Sequence, residues 1–110
     1  MKIDVLYISE CPNHAPVVGW IRQILREYQL PEEITEIEVT DRAQAIELSF
    51  PGSPSVRING EDVEPDFPKV TSHGLTCRTY VVGEKRQGVP DREWIRNAIA
   101  KAYRCDTLGS

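Results

Sequence analysis

Three cysteines and two histidines supply the nucleophilic and soft-metal chemistry of this chain, and four of the five fall into two short runs. Cys11-Pro12-Asn13-His14 sets a thiol three residues ahead of an imidazole, and His73 precedes Cys77 by four. The thiolate is the reactive and ligating form of cysteine. An imidazole titrating near pH ~6.5 can pair with it or shuttle its proton. Together, Cys11, His14, His73 and Cys77 offer two thiolates and two imidazoles, a donor set suited to tetrahedral zinc. Plainer readings stand beside this one. A free cysteine is often a buried, inert hydrophobe, His14 reads equally as an exposed loop residue, and His73-Gly74 has the look of an ordinary turn. Cys105, in a polar tail, reads as an exposed thiol without a role. The acidic alternation Asp62, Glu64, Asp66 lacks the spacing of a calcium loop and reads as a solvated face.

The elements that must position these groups follow from hydrophobic periodicity. Ile3 to Ile8 is a nearly continuous apolar, β-branched run, the pattern of a central strand. Val17, Trp20, Ile21, Ile24, Leu25 and Tyr28 form one unbroken helical stripe that Leu30-Pro31 ends. Two caps are open at its start. With Cys11 as N-cap, Pro12 suits the first helical position but Pro16 falls inside the helix. With Asn13 as N-cap, which is favoured, Pro16 lies in the first turn, where a missing N–H costs nothing. A helix N-terminus lowers the pKa of a nearby thiol, so Cys11 just ahead of the cap would feel a weakened dipole.

Thr35 to Thr40 alternates as a second strand with one wet face. Asp41 and Gln44 have capping-box spacing for a short helix through Leu48. Ser55 to Asn59 is a third strand, Asn59-Gly60 a strong hairpin turn, and Glu61 to Glu64 the short return strand. Cys77 to Val82 reads as one further strand and Gly83 to Pro90 as a loop. Asp91 caps a last helix with Trp94, Ile95, Ala98, Ile99 and Ala102 on one face. Trp20 and Trp94 belong to the core on these stripes. The order is β-α-β-α, a hairpin, an extra strand and a closing helix: an α/β layer with helices on its faces.

At 110 residues the chain is expected to be a single domain over residues 1–110. A net charge of −4 and a pI near 5.2, with no basic run, argue against nucleic acid and anionic membranes as partners. No signal-peptide pattern or bilayer-length apolar segment is read, so a cytoplasmic location is expected, where cysteines act as thiols or ligands.

Strand, Cys-Pro loop, long helix, and Ser53-Pro54 ahead of "SVRINGEDVEP" resemble the thioredoxin–glutaredoxin fold. In that family a cis-proline opens the third strand and faces the cysteine, and Pro54 sits at that place. The resemblance implies a mixed sheet of four to five strands with helices on both faces. His14 stands where a second active-site cysteine would be, so a dithiol within the loop is impossible. "LTCRTYVV" and "GVPDREWI" resemble the segment of bacterial alkylmercury lyases that carries their second mercury-binding cysteine. Cys11 and Cys77 match the two lyase cysteines, and His14 falls where the lyase aspartate would be.

The resemblance implies a small thiol protein in which Cys11, with Cys77 and His14, exchanges disulfides or binds a soft cation (Hg or Zn) or an organomercurial. Its substrates would be a small thiol, an organomercurial or a protein disulfide. The alternative is a non-catalytic module that binds zinc or a partner protein. Two registers stay open. If Glu61 to Glu64 is the hairpin return, the loop after Pro65 can bring Cys77 beside Cys11. If Cys77 to Val82 is itself the hairpin partner, the two cysteines lie at opposite ends of a strand about 20 Å long, out of disulfide reach.

Overall fold

A computed structural model describes residues 1–65 and 75–108, with side chains through residue 104. The described residues form a mixed α/β structure, with a four-stranded mixed sheet, a two-stranded sheet and three helices. Along the chain run β1 (Ile3–Tyr7), α1 (His14–Glu27), β2 (Thr35–Glu38), α2 (Arg42–Glu47), β3 (Ser55–Ile58) and β4 (Glu61–Asp62). They are followed by β5 (Tyr80–Val82), β6 (Lys85–Gln87) and α3 (Arg92–Leu108). The larger sheet has the order β2-β1-β3-β4. β1 is parallel to β2 and antiparallel to β3, and β3 is antiparallel to β4.

Side-chain alternation along β1 divides the interior in two. Ile3 and Val5, joined by Val56 and Ile58 of β3, pack under α1 and α3 against Val17, Ile21, Ile95 and Ile99. Each aliphatic side chain so buried stabilises the fold by about 1.5–3 kcal/mol. Leu6 and Ile8 face the other way, into a smaller cluster with Val39, Ala45 of α2 and Phe50. Helices therefore cover both faces. Trp20 and Trp94 are only partly buried at the border of the larger cluster.

Local signals act as their chemistry dictates. Asn13 is the N-cap of α1, without a side-chain cap hydrogen bond, and Pro16 falls in the first turn. Asp41 caps α2, its Oδ1 accepting from Gln44 N at 2.7 Å. The reciprocal bond is displaced by one residue, because Gln44 Oε1 accepts from Thr40 N instead. Asn59 and Gly60 both take positive φ, 53° and 85°, in the β3–β4 turn, as a two-residue hairpin loop requires.

The expected strand Cys77 to Val82 is divided. Cys77 makes an isolated parallel bridge to Ser53, and the segment from Tyr80 turns into a hairpin with β6. The expected loop 83–90 thus contains a strand, entered through Gly83 at φ 64°. Among the described residues, no helix is long and apolar enough to cross a membrane.

Candidate functional site

Antiparallel pairing of β1 with β3 sets the geometry of the cysteines. Leu6, near the end of β1, pairs with Ser55 at the start of β3. The loop leaving β1 and the turn entering β3 therefore lie at one end of the sheet. Cys11 belongs to the first and Ser53-Pro54 to the second. Two hydrogen bonds link them: Cys11 N donates to Ile8 O at 3.1 Å, and Ile8 N donates to Ser53 Oγ at 3.1 Å. The Ser53–Pro54 peptide bond is cis.

Cys77 arrives at the same end. Ser53 N donates to Thr76 O and Arg78 N donates to Ser53 O, both at 2.9 Å, which places Cys77 directly beside Ser53. Of the two registers left open by the sequence, the hairpin return is β4, and the chain comes back to bring Cys77 to the Cys11 end. The cysteines differ in access. Cys11 is 9% exposed and packs with Leu6, Ile8, Val39, Ala45 and Phe50, whereas Cys77 is exposed. Neither is in a disulfide.

The segment bearing Cys77 is fastened by its neighbour. The Arg78 guanidinium is buried; it donates to Asp62 Oδ2 at 2.7 Å, Asp62 Oδ1 at 3.0 Å, Glu64 Oε1 at 2.8 Å and Ser55 Oγ at 3.1 Å. It also lies over the Tyr80 ring, 4.2 Å from the centroid. Burial works against its charge, but the hydrogen bonds and negative charges of Asp62 and Glu64 outweigh this, and its pKa is raised. Tyr80 donates its hydroxyl to Pro54 O at 2.6 Å; burial is the chief cause that pushes its pKa far up. Gly52, at φ 138°, completes the contact, since a Cβ there would stand 2.8 Å from Arg78 Cβ.

Asp62 and Glu64 thus depart from the solvated face read from their alternation: their carboxylates are the internal counterions of Arg78. Asp66 lies outside the described residues. The signal for this network is faint in sequence, since an arginine between Cys77 and Thr79 carries no local mark of burial.

His14 faces elsewhere. Its ring stacks on Tyr7 with centroids 3.7 Å apart and planes 1° from parallel, and its Nε2 meets Glu36 Oε1 at 2.6 Å. That nitrogen is engaged on the α1 face of the sheet, while Cys11 packs into the α2 cluster. His73 and the Cys105 side chain lie outside what is described. Among the described residues, no group of three or more His, Cys, Asp or Glu is arranged to hold a metal ion.

Gly88 of the β6–α3 connection closes on the α1 cap, where a Cβ would collide with Asn13 Nδ2. A cavity of about 510 Å³ lined by Asn59, Asp62, Glu64, Trp94 and Lys101, and one of about 250 Å³ beside Leu25, Leu30 and Tyr103, involve neither cysteine.

No family model matches the chain, and neither a curated protein nor a solved structure matches it.

Proposed function

We propose that this is a thioredoxin-like thiol protein in which Cys11 and Cys77 form one site for thiol–disulfide exchange. The observation that carries the reading is the bridge between Cys77 and Ser53, at the sheet end from which the Cys11 loop departs. The thioredoxin-like reading is supported by a cysteine loop between β1 and a long α1, and by Pro54 at the head of β3. It is further supported by helices on both faces of a four-stranded sheet.

Access assigns the order of events. The exposed Cys77 thiolate attacks a substrate disulfide, forming a Cys77–substrate bond as the substrate S–S bond breaks and one thiolate leaves. The Cys11 thiolate then attacks the Cys77 sulfur and expels the second substrate thiolate. The protein is oxidised to a Cys11–Cys77 disulfide, and two electrons pass to the substrate. The two protons lost by the cysteines match those gained by the two product thiolates. A dithiol reductant reverses both steps.

Exchange needs no acid placed beside the thiols, whereas cleavage of a carbon–mercury bond does; of the two adjacent candidates, His14 Nε2 is held by Glu36 and Glu10 is exposed to solvent.

The test uses a Cys105→Ser background and bis(2-hydroxyethyl) disulfide. Cys11→Ser should accumulate a mixed disulfide on Cys77, visible by intact-protein mass, whereas the parent should proceed to an internal disulfide. Accumulation of the mixed adduct on the parent itself would refute the paired site and leave a non-catalytic module.

A further inference from the structure

We infer that the substrate of this site is a small, uncharged disulfide and not an extended polypeptide, an inference that rests on the exchange reading above. An extended peptide is gripped at a sheet through free backbone N–H and C=O groups along an edge. Ser53, the residue that leads into β3 beside the thiols, has both groups occupied from within the chain. Its N–H donates to Thr76 O and its C=O accepts from Arg78 N, each at 2.9 Å.

The chain's own Cys77 segment thus fills the place where an incoming strand would add. Displacing it would break the buried network that anchors Arg78 to Asp62, Glu64 and Ser55, and the close backbone approach that Gly52 allows. Neither of the two cavities described above is lined by a thiol.

The described residues that flank Cys77 in the chain also bear on the chemistry of the substituent. Leu75 is 44% exposed, and Thr76 and Thr79 are exposed and uncharged. The adjacent charge, on Arg78, is buried and matched by two carboxylates. Among the described residues that flank Cys77, a substituent entering with the disulfide therefore meets apolar and hydroxyl groups.

The experiment compares two mixed disulfides of 2-mercaptoethanol under single-turnover conditions, with the protein reduced and carrying Cys105→Ser. One is formed with N-acetylcysteine amide, the other with a cysteine in the middle of an unstructured nonapeptide. Each rate is divided by that of free dithiothreitol with the same compound, which removes intrinsic reactivity. The small compound should react at least tenfold faster than the peptide on this scale. Equal or faster reaction of the peptide would overturn the inference while leaving the exchange reading standing. If neither compound yields the internal Cys11–Cys77 disulfide, the exchange reading falls and takes this inference with it.

Discussion

One face of the central sheet buries Ile3, Val5, Val56 and Ile58 beneath α1 and α3, while toward β4 the other face buries Ser55, Asp62 and Arg78. Apolar burial is non-directional and tolerates small shifts. A buried guanidinium with two carboxylates breaks roughly even for stability, yet it is costly to leave half-made. The first face therefore supplies most of the folding energy, and the second fixes where one short segment lies. That segment carries Cys77.

Removing one member from each face separates these roles. Arg78→Ala leaves Asp62 buried without its counterion and should cost about 3–5 kcal/mol in urea unfolding. It should also change the alkylation rate of Cys77 in native buffer, because the anchor of its segment is gone. Ile99→Ala, in the fully buried α3 stripe, should cost about 2–5 kcal/mol yet leave that alkylation rate unchanged. If both variants alter Cys77 alike, the division between the faces is wrong.

Gly52→Ala sharpens the contrast with a smaller change. The added methyl meets Arg78 Cβ at a φ that disfavours it, and about 1–3 kcal/mol of destabilisation is expected. Tyr80→Phe should cost about 1 kcal/mol, the typical worth of the hydrogen bond lost to Pro54 O.

Tyr80 also predicts a pH dependence. Its pKa is raised on folding from the ordinary 10.0, so above that pH the unfolded chain loses a proton that the folded chain keeps. Stability should fall as pH rises from there toward the folded value, and Tyr80→Phe should flatten the fall. Thermal unfolding of both proteins across the alkaline range checks this. Smallest of all, His14→Ala should cost about 1 kcal/mol or less and leave disulfide exchange intact, since Nε2 serves Glu36. Loss of exchange would return His14 to the chemistry.

The elements that pack through apolar periodicity were legible in the residues. The stripe Val17 to Tyr28, the α3 stripe, the Asn59-Gly60 turn and the Asp41 cap all report local physics that tertiary structure did not override. The polar face was not legible. Alternation places Asp62 and Glu64 in water because each is charged, and nothing local shows that they will neutralise Arg78 across 14 or 16 residues. The division of Cys77 to Val82 was hidden for a related reason: a β-branched run shows extended backbone but not which neighbour it pairs with. The approach of Cys77 to the Cys11 end depended on that choice, so the residues left two registers and the fold takes one.

The hydrogen bonds through which Ser53 holds its neighbours have a consequence for local opening. The amides of Ser53 and Arg78 are the two rungs of a single clasp, and they belong to a region secured by ion pairing more than by apolar area. Local unfolding of such a region takes less energy than melting the whole protein. Deuterium should enter these two amides together, sooner than it enters the α1 interior. Raising ionic strength should hasten that entry little, because the charges concerned are shielded from solvent ions.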